Sequence, residues 1–123
     1  MAFTDDLENK IQSIYFTLLR KRHLFGKVNK TLNCNSLRVI VEKVKSVIND
    51  GQNKGLNVFE IANNIIYNLI ICNFFIFAND EMAVLIGYIY LKRQGVVINN
   101  YTSNGINNNT TLEQIKIITE TWK

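Results

Sequence analysis

Apolar residues recur along this chain at steps of three and four, the period of one helical face. Leu7, Ile11, Ile14, Tyr15, Leu18 and Leu19 share the first such face. Thr4 has the chemistry of an N-cap, Asp5, Asp6 and Glu8 follow it, and Arg20-Lys21-Arg22 close the run. Acids at the start and cations at the end suit the helix dipole, so the pattern predicts a helix over about 4–22 and a loop around Gly26. Leu37, Ile40, Val41, Val44, Val47 and Ile48 predict a second helix, capped by Ser36 and stopped by Asn49-Asp50-Gly51. The two glycines of 50–55 read as a turn. Asn57 with Glu60 three residues on has the form of a capping box. Val58, Ile61, Ala62, Ile65, Ile66, Leu69 and Ile70 follow it, apolar nearly all round, which marks the buried central helix. It fades near Asn73, and 74–78 is a short apolar connection. Asn79 caps a fourth helix with Asp80 and Glu81 in its first turn, a core face of Met82, Leu85, Ile86, Ile89 and Tyr90, and Lys92-Arg93 before a terminating Gly95. Val96-Val97-Ile98 reads as briefly extended and 99–109 as a polar loop. Thr110 with Glu113 forms a second capping box, opening a last helix that carries Leu112, Ile115, Ile118 and Trp122. Five helices and no sheet predict an all-α fold.

Composition narrows this further. A chain of 123 residues, 47% hydrophobic and 20% charged, is one globular domain, spanning 1–123, large enough to bury a core unaided. Its two cysteines, Cys34 and Cys72, make no C-x-x-C pair, and His23 is the single histidine. That excludes a structural zinc site, which needs about four clustered ligands. Two lone thiols point to a reducing compartment, with one long-range disulfide left open. The acidic Met1–Asp6 is not a secretory signal. The most apolar stretch, Ile65–Ala78, is interrupted by Asn68 and Asn73 and falls short of the roughly 20 residues a membrane span needs. The expectation is a soluble cytoplasmic protein. Abundant Asn and Ile and the absence of Pro match an AT-rich bacterial or phage genome. The asparagines are spread between apolar residues, unlike a prion-like tract.

The run Ala62–Asn79 followed by Leu91-Lys92-Arg93-Gln94-Gly95-Val96 resembles the centre of the Fic/Doc family. There a buried helix ends at a histidine, a loop of the form His-Pro-Phe-x-Asp-Gly-Asn-Lys-Arg follows, and a second helix ends in Leu-Arg-x-Asn-Gly-hydrophobic. The match needs no gap from Ala62 to Val96, and the layout extends over roughly 36–122. The resemblance implies a Fic/Doc-like helical core. It also implies a known chemistry: transfer of a nucleotidyl or phosphoryl group to a protein hydroxyl, with the histidine as base and the acid holding Mg²⁺.

This chain departs from that motif at nearly every chemical position. Asn73 stands where the base would be, and an amide takes no proton near neutral pH. Phe77 replaces the metal-binding acid, Ala78 the glycine, and Asp80 and Glu81 the basic pair. Only Phe75 and Asn79 keep the family's residue type, Phe75 as a core anchor and Asn79 as a cap. Two carboxylates about 4 Å from a triphosphate would each cost on the order of 1–4 kcal/mol of repulsion. No catalytic residue, metal or cofactor is therefore expected. His23, outside the matching run, reads as a solvated side chain.

Charge adds one candidate surface. Arg20, Lys21, Arg22, Lys27, Lys30, Arg38, Lys43 and Lys45 face one acid, Glu42, within 20–45, whereas the whole chain carries +4. A one-sided field of this kind attracts an acidic protein surface or nucleic acid. Phe25 is the one aromatic placed to interleave with it. The leading expectation is a non-catalytic Fic/Doc-like protein acting through a protein partner, such as a repurposed toxin, an inhibitor or an effector. Two alternatives stay open: a transferase of altered chemistry using Asp80 or Glu81 with a metal, and a helical nucleic-acid-binding module using 20–45. Self-association is open as well.

Overall fold

The computed structural model describes residues 6–21, 34–75 and 78–123. Five helices account for most of them: α1 (Leu7–Lys21), α2 (Cys34–Asn53), α3 (Val58–Cys72), α4 (Asn79–Arg93) and α5 (Leu112–Glu120). No strand occurs among the described residues, so the fold is all-α, as the periodicity predicts. No helix among them is long and apolar enough to cross a membrane.

α3 is central because successive residues of a helix point about 100° apart, and three in a row each meet a different neighbour. Ile61 packs where Gly51 of α2 leaves room, and the Ala62 carbonyl lies beside Gly87 of α4. The Asn63 Oδ1 accepts a 2.7 Å hydrogen bond from the Thr119 hydroxyl of α5, with both residues buried. α1 closes the other side of the bundle against α2 and α4. Leu7, Ile11, Tyr15, Ile40, Val44, Ile65, Ile66, Met82 and Ile86 are buried in the resulting core.

The Asn57–Glu60 box forms as expected. Asn57 Oδ1 accepts from the Glu60 N–H at 2.9 Å, and Glu60 Oε1 accepts from the Asn57 N–H at 3.1 Å. Gly95 also ends α4 as expected, at φ 84°, with Gly95 N–H on the Lys92 carbonyl and Val96 N–H on the Leu91 carbonyl.

Several predicted boundaries move. Thr4 lies outside the described residues. Ser36 stands inside the first turn of α2 instead of before it, since the helix already begins at Cys34. Asn49-Asp50-Gly51 does not stop α2, which runs on to Asn53. A Cβ on Gly51 would come within 2.6 Å of Ile61 Cγ1, so this glycine permits close helix packing and not a turn. The stop falls at Gly55, φ 72°, where Leu56 N–H reaches the Gly51 carbonyl at 2.9 Å. Thr111 with Gln114, not Thr110 with Glu113, forms the box that opens α5. The Thr110 hydroxyl is already committed, accepting from the Asn107 N–H at 2.8 Å. Trp122 lies beyond the end of α5 at Glu120.

Trp122 is fully buried and organises the C-terminal segment. Its Nε1–H donates to the Thr102 carbonyl at 2.9 Å, and its own carbonyl accepts from Asn99 and Asn100. Tyr101 packs against it, with ring centroids 5.1 Å apart, and against Tyr88 of α4 at 4.5 Å. Burial, with a smaller contribution from Tyr88, pushes the Tyr101 phenol up to about 12 from its ordinary 10.0. A group whose pKa is raised on folding stabilises fully below its unfolded value and loses that contribution as pH rises through the folded one. Stability is therefore expected to fall between pH 10 and 12, less steeply in Tyr101→Phe; urea midpoints across that range check this.

Candidate functional site

The α3–α4 turn carries the motif positions. α3 ends because Asn73 adopts the left-handed conformation, φ 53° ψ 51°, with its N–H on the Leu69 carbonyl. Asparagine tolerates that region better than most residues. Phe75 turns inward, 2% exposed, its ring 5.4 Å from that of Tyr15 in α1. Phe75 is thus the core anchor its position implies. Phe77 lies outside the described residues.

Asn79 behaves differently from the sequence expectation. The N-cap of α4 is Ala78, also left-handed at φ 57° ψ 34°, and no side chain caps the helix. Asn79 instead forms the first residue of α4 and points back into the protein, 7% exposed. Its Oδ1 accepts from the Phe75 N–H at 3.2 Å and its Nδ2 donates to the Ile70 carbonyl at 3.3 Å. An amide, with one acceptor and one donor end, is the side chain that can satisfy both backbone groups at once. Satisfying those two buried groups is worth more than capping, since leaving either unpaired costs about 1–3 kcal/mol.

Asp80 and Glu81 sit half-buried in the first turn of α4, where carboxylates complement the helix dipole. Glu81 already interacts with a neighbouring group. Among the described residues no three His, Cys, Asp or Glu side chains cluster to hold a metal ion. Cys72, next to the turn, is a free exposed thiol. Two oxygens of α1, Gln12 Oε1 and Tyr15 Oη, are buried without a hydrogen-bond partner among the described residues.

Ala78 provides a direct test of this backbone. An L-residue held left-handed is strained by about 1–2 kcal/mol, and glycine is not. Ala78→Gly is expected to stabilise the protein by about 0.5–1 kcal/mol once the freer unfolded chain is deducted. An unchanged or lowered thermal midpoint would contradict the conformation.

The basic segment is split by the fold. Arg22, Lys27 and Lys30, with His23 and Phe25, lie outside the described residues. Arg20 and Lys21 are exposed at the end of α1, and Arg20 already interacts with a neighbour. On α2, exposed Arg38 and Lys45 share one stripe with Glu42 between them, and Glu42 Oε1 lies 3.7 Å from Lys45 Nζ. Lys43 is turned about 140° away from Arg38. It faces a cleft of about 170 Å³ between α2 and α3 that also holds Asp50, Lys54, Asn64 and Asn68. Sequence reasoning missed this cleft, because its two walls come from separate helices. Compared with protein-family models, curated proteins and solved structures, the chain matches none.

Proposed function

We propose that this chain is a non-catalytic, Fic/Doc-like helical protein that works by binding another protein. The inward-facing Asn79 carries the reading. At the residue where the family's loop meets its second helix, the one polar side chain the motif retains is consumed by the turn's own backbone. What remains at the helix start is Asp80 and Glu81, whose charge repels a nucleotide's phosphates. The left-handed Ala78 supports the kinship, since the family has glycine at that position, the residue that takes this conformation without strain. The left-handed Asn73 supports the loss of chemistry, because it stands at the base's position as a helix terminator. Division of the described cations between two stripes of α2, one neutralised by Glu42, favours discrete protein contacts over a continuous nucleic-acid track.

The test is incubation of the full chain with ATP labelled at either the α- or the γ-phosphate, Mg²⁺ and candidate protein acceptors. No label is expected on any acceptor or on the chain itself. Transfer abolished by Asp80→Ala or Glu81→Ala would overturn the reading in favour of altered chemistry.

A further inference from the structure

Among the described residues α2, α4 and α5 pack on three sides of α3, and no other helix packs extensively on the fourth. Asn64, Asn68 and Ile71 follow one another along it at helical spacing, and Ile71 is 57% exposed. The amide nitrogens of Asn64 and Asn68 are spent on the carbonyls four residues earlier, at 2.9 and 2.8 Å. Beside this strip runs the outer stripe of α2: Val39, 53% exposed, then Lys43, Ser46, Asp50 and finally Lys54. Lys54 still belongs to the stripe, because its N–H bonds the Asp50 carbonyl in helical register at 3.1 Å. Lys43, Asp50 and Lys54 make no ion pair among the described residues. The cleft they flank, about 170 Å³, is smaller than the roughly 300–1,000 Å³ of cofactor-sized pockets and suits one side chain.

We propose that this face is a homodimer interface, in which α2 of a second copy docks antiparallel over the α2–α3 cleft and Lys43 of each copy pairs with Asp50 of the other. The stripe is self-complementary in that arrangement. A two-fold axis through the space between Ser46 and Val47 sets residue 43 opposite residue 50 and residue 50 opposite residue 43. It also lays the alkyl stem of Lys54 over the exposed Val39. An isologous contact requires this reciprocity of i with j and j with i. Within one chain Lys43 and Asp50 lie two turns apart, about 10 Å along the axis, and leave each other unpaired. Ser46 at the axis is small enough for the two helices to approach closely. This inference is independent of whether the α3–α4 turn retains any chemistry.

The experiment is sedimentation equilibrium of the full chain at several salt concentrations. Wild type is expected to self-associate toward twice 14.2 kDa, more weakly as salt rises. Lys43→Asp alone and Asp50→Lys alone make both contacts like-charged, and each is expected to weaken association about tenfold or more. An equimolar mixture of these two variants restores complementary pairs at both contacts and is expected to recover the dimer. The double variant K43D/D50K is expected to dimerise as wild type does. Circular dichroism checks each fold, and the milder Asp50→Asn, at an exposed position, is expected to weaken the dimer without charge reversal. A wild-type chain that stays monomeric at millimolar concentration overturns the proposal. So do single variants that dimerise unchanged, or a mixture that fails to recover.

Discussion

Replacing Trp122 with alanine is expected to remove about 3–5 kcal/mol of stability, the usual cost of truncating a fully buried large aromatic. Against a typical 5–15 kcal/mol for a whole domain, this approaches global unfolding at physiological temperature. The indole is 0% exposed, meets Tyr88 edge-on at 6.4 Å and Tyr101 at 5.1 Å, and donates to the Thr102 carbonyl. Its loss frees the far side of Tyr101 and leaves the Thr102 carbonyl without its donor, so the segment before α5 should loosen together with the C-terminus. Urea denaturation gives the magnitude. Hydrogen exchange should show the amides of Asn99 and Asn100, both bonded to the Trp122 carbonyl, losing protection first. Trp122→Phe keeps most of the packing and is expected to cost markedly less. Equal losses in the two variants would mean that the hydrogen bond, not the packing, dominates.

Gly87→Val should be nearly as damaging, on the order of 3 kcal/mol, through overpacking instead of a cavity. A Cβ at Gly87 would lie 2.5 Å from Ile66 Cγ1, 2.8 Å from Ile66 Cδ1 and 3.3 Å from the Ala62 carbonyl oxygen. Ile66 is fully buried, and the carbonyl belongs to the helix backbone. The α3–α4 crossing is therefore as close as it is because residue 87 has no side chain. Ile66→Ala costs stability alone but should recover part of the loss when combined with Gly87→Val, a coupling that non-contacting sites would not show. Strict additivity of the two changes, read from chemical denaturation, would contradict the crossing. Gly95→Ala provides a contrast. Nothing lies within 4 Å of that site, and only its left-handed backbone, φ 84°, resists a side chain.

Features set by near neighbours in the chain were legible beforehand. The five helices follow from the 3.6-residue apolar period. The Asn57–Glu60 box and the Gly95 stop follow from residues three to five positions apart, because their hydrogen bonds close within one turn. Phe75, expected in the core from the resemblance, is buried. At the candidate site, the sequence shows an amide at 73, an aromatic at 77 and two carboxylates at 80 and 81. The use made of Asn79 was not legible there, because the Oδ1 that a cap would turn to the helix start accepts from the Phe75 N–H, while its Nδ2 donates to a carbonyl nine residues away.

The sequence by itself determined an all-helical chain, its central apolar helix and the paired carboxylates at the α3–α4 turn, since each depends on residue type and short-range spacing alone. Tertiary structure alone decided that Gly51 and Gly87 serve helix contact, and that Lys43 and Asp50 flank a cleft whose other wall is α3. In each case the deciding atom belongs to another helix or loop, and only packing brings it within a few ångströms.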